Sequence, residues 1–174
     1  MHVSAPRDMI NQHQDVGTFI DIMHVNRMPF LHTTSEGTTL RKFIHVPSLT
    51  KRALKVETQE QIDICKSSGF RIRYADSDMQ FEFIKDEFEE VEVDIVDADN
   101  HVEDIERDIR KIKEGTRGLV QGVLFKKMSK LIAKTLVEVA TRHLNLFPAE
   151  NGTSDILSPL TIVTRGATLD ARTF

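Results

Sequence analysis

Carboxylates within or beside apolar segments are the residues of this sequence best suited to chemistry. Asp21 lies within an apolar segment that alternates like a β-strand, where an acidic side chain is costly unless it is paired or bound to a metal ion. Asp76 and Asp78 follow a second alternating segment, and Glu106 lies in the first turns of a predicted helix. Brought together, these oxygen ligands would hold one or two hard divalent cations. Two such cations about 4 Å apart can activate a nucleophile and stabilise the leaving oxygen in phosphodiester chemistry.

Two basic residues share a helix face with Glu106. Arg110 and Lys113 follow it at spacings i+4 and i+7, whereas the isoleucines of the same helix occupy another face. A carboxylate at a metal ion, with cations further along the helix, would suit a phosphate backbone lying over the site. The simpler interpretation is a surface Glu–Arg pair worth roughly 0.3 kcal/mol, and the spacing alone favours it.

The charged residues are strongly segregated along the chain. Residues 76–108 contain 15 Asp or Glu and two basic residues, whereas residues 109–134 contain eight Lys or Arg and one acidic residue. The formal net charge of −4 therefore hides an acidic region and a basic region. The middle of the acidic run fits a solvated surface, so its two ends are the better candidates for metal binding.

Composition excludes several classes of protein and site. Hydrophobic residues make up 40% and charged residues 29% of the 174 residues, which is typical of a globular chain of one or two domains. No apolar run reaches the roughly 18–20 residues of a membrane span, and the first residues are too polar for a signal peptide. Cys65 is the only cysteine, which excludes a disulfide framework and a zinc site with two or more thiolates. We expect an intracellular compartment and no membrane partner.

The elements that must position these residues alternate between strands and helices. Strands are predicted at residues 18–25, 30–34, 38–46, 70–75 and 91–96, and helices at residues 49–67, 81–88, 102–114 and 128–147. Ser48 is expected to cap the first helix, Gly69 to end it, and Gly115 and Gly118 to break the third. The last helix is apolar around so much of its circumference that we expect a second buried face or a partner.

Four segments of the chain, taken together, resemble the catalytic core of retroelement integrases and the stretch that follows it. The first three resemble the motifs around the two catalytic Asp residues and the catalytic Glu of this DDE family. The fourth resembles the segment that follows the core in copia-type retrotransposons. These segments are DIMHVNRMPFL (21–31), SSGFRIRYADSDMQFE (67–82), NHVEDIERDIRKIKEGTRG (100–118) and HLNLFPAENGTSDILSPLTIVTRGATLD (143–170).

The resemblance implies an α/β chain with the RNase H-like fold, in which helices flank a five-stranded mixed sheet. It implies a polynucleotidyl transferase that processes DNA 3′ ends and transfers them to target DNA. Asp21, Asp78 and Glu106 would then be the catalytic residues and the ligands of Mg²⁺ or Mn²⁺, and Arg110 and Lys113 would hold the DNA. The family assembles on DNA ends, so a homo-oligomer is expected, and a functional copy would act in the nucleus.

The position of the second catalytic Asp is open. Counting without gaps from Gly69 places it at Asp78, which we prefer, whereas alignment to the Asp-Asn-Gly motif of retroviral integrases places it at Asp76. The chain also departs from the family pattern at Glu103, which replaces a Pro, and at Gly115, which replaces an Arg. These departures indicate a partial or decayed copy of such an element.

The sequence leaves two alternative functions open. One is a catalytically dead remnant that binds nucleic acid or forms oligomers. The other is an RNase H-type nuclease, which would need a fourth carboxylate near the site, from Asp76 or Asp104. In each case we expect an N-terminal tail (1–16), a catalytic core (17–147) and a post-core connector (148–174).

Overall fold

The computed structural model describes residue 11 and residues 14–88, 91–95, 103–124 and 128–164 of the chain. Its strands are β1 (Asp15–Val25), β2 (Met28–Ser35), β3 (Arg41–His45), β4 (Arg71–Ser77) and β5 (Glu92–Ile95). Its helices are α1 (Lys51–Ser67), a 3-10 helix (Met79–Glu87), α2 (Glu103–Gln121), α3 (Lys130–Leu146) and α4 (Pro159–Thr164). No helix in these ranges is both long and apolar enough to cross a membrane. Residues 97–101, which join the last predicted strand to the third predicted helix, lie outside the described residues.

The five strands form one mixed sheet in the order β3-β2-β1-β4-β5. β1 pairs antiparallel with β2, and β2 with β3, whereas β1, β4 and β5 run parallel to one another. Parallel neighbours need a crossover connection, and α1 lies in the chain segment that returns from the β3 edge to β4. This arrangement confirms the expected α/β architecture with a five-stranded mixed sheet flanked by helices.

β1 lies at the centre of the sheet, and its side chains alternate between two hydrophobic cores. Ile20 and Ile22 lie in a core that includes residues of α1 and α4, whereas Phe19 and Met23 lie in a core that includes residues of α2 and α3. The strand is therefore buried on both faces, as its nearly continuous apolar sequence indicates. Asp21 shares its face with Phe19 and Met23, and so it points toward α2.

A two-residue turn joins β1 to β2. Asn26 and Arg27 have φ angles of 50° and 62°, and positive φ at both central positions is the turn geometry that matches the twist of a hairpin. In the resulting register, Asp21 lies opposite His32 on the neighbouring strand. The turn therefore helps to determine which residue of β2 lies beside Asp21, the acidic residue in the middle of β1.

A bulge in β4 decides which of its side chains face α2. Val16 pairs with Ile72, but the next residue, Gly17, pairs with Tyr74, so Arg73 is an extra residue in β4. Gly17 lies against the Tyr74 ring, and a Cβ atom at position 17 would force the end of that side chain to move. After the bulge, the side chains of β4 alternate in phase with those of β1 as far as the end of the strand.

α2 continues through Gly115 and Gly118 as far as Gln121, so the break predicted at these glycines is wrong. Gly115 lies against α3, where an added Cβ atom would come to 3.5 Å from the Ala140 side chain. The next residue, Thr116, is buried. A glycine in a helix interior costs roughly 1 kcal/mol, and the packing of α2 on α3 offsets that cost.

α1 begins two residues later than predicted and has a different cap. The N-cap is Thr50 rather than Ser48, because the Thr50 hydroxyl accepts a hydrogen bond from the Ala53 amide. Gly69 follows the helix with a φ angle of 90°, which confirms the predicted stop signal. The N-cap prediction is wrong because two hydroxyl residues, Ser48 and Thr50, lie close together before the helix and either could cap it.

The C-terminal stretch that we predict to be a connector contains the short helix α4. Ile162 and Val163 of this helix are buried in the same core as the apolar face of α1. A helix of six residues is too short for hydrophobic periodicity to reveal it from the sequence. The division of the chain at residues 16 and 147 stays a prediction.

Candidate functional site

The paired ends of β1 and β4 bring two of the predicted carboxylates together. Ile20 pairs with Ser77 in parallel register, and residues paired across strands share a face of the sheet. The next residues, Asp21 and Asp78, therefore both point to the face that α2 covers. Asp78 also caps the 3-10 helix, because its side chain accepts a hydrogen bond from the Gln80 backbone amide at 3.1 Å.

The Gln80 side chain bridges the two carboxylates. Its Nε2 atom donates to Asp78 Oδ2 at 2.9 Å and to Asp21 Oδ1 at 3.4 Å. Asp21 Oδ1 also accepts a hydrogen bond from the Ile22 backbone amide at 2.6 Å. A single nitrogen atom thus lies within hydrogen-bond distance of both acidic groups.

Asp21 lies in an environment that opposes its ionisation. Burial raises its pKa to about 6, and the negative charges of Asp78 and Glu106 contribute in the same direction. The hydrogen bond from Ile22 and the positive charge of Lys113 lower the pKa in part. α2 therefore places Glu106 and Lys113 close enough to Asp21 for their charges to act on it. A divalent cation at this place would stabilise the ionised form of the carboxylates.

The described residues do not form a complete set of metal ligands. In the described part of the chain, no group of three or more His, Cys, Asp or Glu side chains is placed to hold a metal ion. What the structure brings together is the pair Asp21 and Asp78, with Glu106 within electrostatic range on the adjacent helix. Carboxylate oxygens are the ligands that Mg²⁺ and Mn²⁺ prefer, so the chemistry of these donors fits the expected cofactor. The metal-binding and catalytic roles of all three residues stay predictions.

Asp76 lies on the same side of the sheet but belongs to a different group of charges. It pairs with Asp94 across β4 and β5. Burial raises the pKa of Asp76, and the charges of Asp94 and Glu36 raise it further. The structure thus places Asp78, and not Asp76, beside Asp21, while the catalytic role of either residue stays a prediction.

The two cations that we expect to hold DNA lie on α2 beyond Glu106. Lys113 is half-buried and its charge acts on Asp21, whereas Arg110 is exposed. Arg110 forms no ion pair with any residue that the structure describes, so the Glu–Arg pair of the simpler interpretation is not formed. The structure therefore leaves the Arg110 guanidinium accessible to an anion, and its role in binding DNA stays a prediction.

The sequence analysis missed three features beside these residues. Arg41 on the edge strand β3 forms a buried ion pair with Asp108 on α2 at 2.8 Å. His32 lies beside this pair, and burial lowers its pKa to about 4. The ion-pair partners are 67 residues apart, so no local spacing reveals them. Gln80 was also missed, although it lies within the second of the four resembling segments (67–82).

The fold defines a class of architecture, namely the RNase H-like fold, with Asp21 within its central strand β1 and Asp78 directly after the neighbouring strand β4. A solved structure similar to this chain is the catalytic core domain of BIV integrase, with a TM-score of 0.60 and 14% sequence identity. The match covers 84% of this chain and 92% of that one. No protein-family model matches the sequence, and no curated protein matches it. The chain therefore has the fold of integrase catalytic cores, as the sequence motifs predict.

Proposed function

We propose that the chain is an integrase-like catalytic core that cleaves and transfers DNA strands with divalent metal ions. Asp21, Asp78 and Glu106 would hold Mg²⁺ or Mn²⁺, which supplies activation of the nucleophile and stabilisation of the leaving oxygen. The reaction would be processing of a DNA 3′ end followed by its transfer to target DNA, as in a retrotransposon integrase. Such a substrate implies action in the nucleus.

The observation that carries this proposal is the setting of Asp21. It is a half-buried carboxylate with a pKa of about 6, and it lies beside Asp78 and within reach of the charge of Glu106. A half-buried acid beside other acids is unfavourable for stability. Acids with strongly shifted pKa values cluster at functional sites. The likeness of the fold to an integrase core supports the same interpretation, because the three residues come from the three motifs of the sequence resemblance.

The other side chains of the site would bind and orient rather than react. The Gln80 amide holds the carboxylates of Asp21 and Asp78 in one orientation through its two hydrogen bonds. Lys113 offsets part of the negative charge around Asp21. Arg110, exposed one turn beyond Glu106, would bind a phosphate of the DNA backbone, a contact that positions the strand without reading its sequence.

A disintegration assay on a branched DNA that mimics the strand-transfer product tests this proposal. The wild-type chain should resolve the branch only when Mg²⁺ or Mn²⁺ is present. Glu106→Gln should abolish resolution but still bind the DNA, because it keeps the shape of the side chain and removes its charge. Glu114→Gln is the matched control on the exposed side of the same helix, and it should remain active. Equal activity of Glu106→Gln and the wild type would contradict the proposed role.

Two observations favour a second candidate, a chain that binds DNA without cleaving it. The described residues hold no ready-made group of three carboxylates, and the departures at Glu103 and Gly115 are those of a decayed copy. In that case the wild type and Glu106→Gln bind the branched DNA equally, and neither yields a metal-dependent product. The same assay therefore separates the two candidates.

The RNase H alternative receives no support from Asp76. The charges that act on it are those of Asp94 and Glu36, and not that of Asp21. The side chain of Asp104 lies outside the described part of the structure. Cleavage of the RNA strand of an RNA–DNA hybrid, with no action on the branched DNA, would favour this alternative.

The proposal includes self-association through α3. Val137 and Ala140 are buried on one face of this helix, whereas Leu131 and Leu146 are exposed on another. Exposed apolar surface of this kind suits pairing with a second copy. In analytical ultracentrifugation, Leu131→Asp with Leu146→Asp should shift the wild-type oligomer to monomer, whereas Leu49→Asp, at an exposed leucine away from α3, should not. A wild type that stays monomeric at high concentration would contradict this part of the proposal.

A further inference from the structure

A small pocket lies on the flank of α2 that is turned away from the carboxylate site. Its walls are α2, the turn between β2 and β3, and the loop that follows α3. Arg107 and Lys111 line it from α2, and they lie roughly 100° and 140° around the helix from Glu106. Neither Asp21 nor Asp78 nor Glu106 lines this pocket, so it is separate from the candidate active site.

The size of the pocket suits a ligand of a few atoms. Its volume is about 210 Å³, which is many times the roughly 15 Å³ that one water molecule needs. Pockets for drug-sized molecules are larger, at roughly 300–1,000 Å³. The pocket therefore has room for a small ion or a single functional group.

Arg41 lines this pocket from β3 with one hydrogen-bond donor unused. The residue is 6% exposed. Its Nη2 atom donates to Asp108 at 2.8 Å, and its Nη1 atom donates to the carbonyl oxygen of Thr39 at 3.1 Å. Its Nε atom is buried and forms no hydrogen bond with any residue that the structure describes. A buried N–H of a charged group is unfavourable without an acceptor, so this atom indicates an acceptor that the described residues do not supply.

Two further cations line the same pocket. Arg107 and Lys111 are four residues apart, so they lie on one flank of α2. The ammonium group of Lys111 forms an ion pair with Glu150 at 4.0 Å, and the Glu150 side chain is 84% exposed. A lysine ammonium group has three donors, so Lys111 can bind a second acceptor while this loose pair persists or breaks.

Two of the three acidic residues that line the pocket already have partners there. Asp108 accepts a hydrogen bond from Arg41, and Glu36 accepts one from the Tyr74 hydroxyl. Only the exposed Glu150 remains for a cationic ligand, whereas an anionic ligand has Arg41 Nε and the Lys111 ammonium group as donors. The hydrogen bonds of the pocket thus favour an anion over a cation.

We propose that this pocket binds one small phosphate-type oxyanion, either free phosphate or the phosphate group of a short ester. The anion accepts hydrogen bonds from Arg41 Nε and from the Lys111 ammonium group, and Arg107 adds positive charge beside it. Arginine and lysine are the usual ligands of phosphate groups. A water molecule could also accept from Arg41 Nε, but it carries no charge to balance the cations of α2. Because the bound anion joins β3 to α2, it stabilises the folded chain.

Titration of the full chain with inorganic phosphate, followed by the backbone amide signals in NMR, locates the anion. Gly37 and Asn151 line the pocket from opposite walls, whereas Gly118 of α2 does not line it. Phosphate at constant ionic strength should shift the Gly37 and Asn151 signals to saturation and leave Gly118 unchanged. Chloride at the same ionic strength is the comparison for salt alone, and equal shifts with chloride would overturn the inference. Glycerol 3-phosphate distinguishes the two sources, because tighter binding than that of phosphate identifies an ester.

Isothermal titration calorimetry with phosphate tests the side chains. Lys111→Gln should weaken phosphate binding about tenfold, the size expected from losing one charge-assisted hydrogen bond. Arg41→Lys keeps the positive charge but lacks the Nε donor, and it should also weaken binding. Lys134→Gln on the exposed part of α3 is the matched control, because it removes the same charge away from the pocket. If Arg41→Lys fails to fold, Lys111→Gln and its control carry the test.

Three results would overturn the inference. The first is phosphate that shifts neither Gly37 nor Asn151, which would leave Arg41 Nε to water alone. The second is equal affinity of Lys111→Gln and Lys134→Gln for phosphate. The third is a short DNA duplex that shifts Gly37 and Asn151 at lower concentrations than phosphate does, which would assign the pocket to a DNA-binding surface instead.

Discussion

Two carboxylates on either side of the same helix–sheet interface have opposite surroundings. Asp108 of α2 is 7% exposed and forms an ion pair with Arg41 at 2.8 Å. Asp21 of β1 is half-buried, lies beside Asp78, and forms no ion pair with any Lys or Arg in the described ranges. A charge inside a protein needs a partner. The first carboxylate is satisfied by its own chain, whereas the second lies in the setting that we propose for a metal ligand.

The ion pair of Asp108 stabilises the position of α2, the helix that also carries Glu106. The ion pair between Arg41 and Asp108 joins the edge strand β3 to the helix that carries Glu106. The Asn145 side chain adds two hydrogen bonds from α3 to the backbone of Arg41, at 3.0 and 2.7 Å. We therefore predict that substitutions at the Arg41–Asp108 pair alter stability, whereas substitutions at Asp21 and Asp78 alter DNA cleavage.

The largest expected effect is on cleavage, from Asp21→Asn. This change should lower the rate of metal-dependent DNA cleavage by about 1,000-fold, because several kcal/mol of metal-assisted stabilisation are lost. The free energy of unfolding in urea should stay the same or rise, since a half-buried charge among other acids is removed. A variant that unfolds more easily and cleaves normally would assign Asp21 a purely structural role.

Asp108→Asn should lower the free energy of unfolding rather than act on the cleavage step itself. Removing one partner of a buried ion pair leaves the Arg41 guanidinium uncompensated, so the free energy of unfolding should fall by about 3 kcal/mol. The double variant Arg41→Met with Asp108→Leu should recover most of this loss, because the buried charge is then absent. Urea denaturation of the three proteins measures these differences, and a loss below about 0.5 kcal/mol in Asp108→Asn would remove the contrast.

A smaller effect is expected on DNA binding from the double variant Arg110→Glu with Lys113→Glu. Its affinity should fall about tenfold for every DNA sequence, and the dependence of binding on salt should become shallower, because two phosphate contacts are lost. Lys134→Glu with Arg142→Glu carries the same change of charge on the exposed part of α3 and is the matched control. Equal losses in both double variants would show a general charge effect rather than a site.

The smallest expected effect is a difference in pH dependence. The pKa of His32 is lowered to about 4 by burial, so the unfolded chain binds a proton more readily and stability falls as the pH drops from about 6.5 toward 4. The pKa of Asp21 is raised to about 6, so the folded chain binds a proton more readily and stability rises over the fall from about 6 toward 4.

Urea denaturation at several pH values between 7 and about 4.5 separates these two contributions. Compared with the wild type, His32→Gln should lose less stability on acidification, and Asp21→Asn should lose more. Parallel curves of unfolding free energy against pH for all three proteins would contradict the shifted pKa values of both His32 and Asp21.

Much of the fold follows from local patterns, and the exceptions have physical causes. The apolar alternation around Asp21 predicts a central strand, and Gly69 correctly marks the end of α1. The predicted break at Gly115 and Gly118 is wrong because the packing of α2 against α3 is a tertiary effect that a local glycine signal does not contain. The burial of Ile162 is also not contained in its local sequence, because it lies in a core assembled from distant parts of the chain.

From the residue pattern alone, without the resemblance, the candidate site was most predictable where a residue conflicts with its local surroundings. Asp21 conflicts with its apolar strand, and this conflict identifies it from the sequence. Asp78 and Asp76 are both plausible by local pattern, because the bulge at Arg73 that sets the phase of β4 has no sequence signal. The pair of Arg41 and Asp108 depends on a contact across the whole fold, which spacing along the chain cannot reveal.

Binding of Mn²⁺, followed by electron paramagnetic resonance, tests the central claim most directly. The wild-type chain should bind Mn²⁺ at the carboxylate site, and Asp21→Asn and Asp78→Asn should each lose this binding, because each removes a ligand. Asp76→Asn should bind as the wild type does, because Asp76 interacts with Asp94 rather than with Asp21. A wild type that binds no Mn²⁺, or binding that survives Asp78→Asn and is lost in Asp76→Asn, would contradict the account.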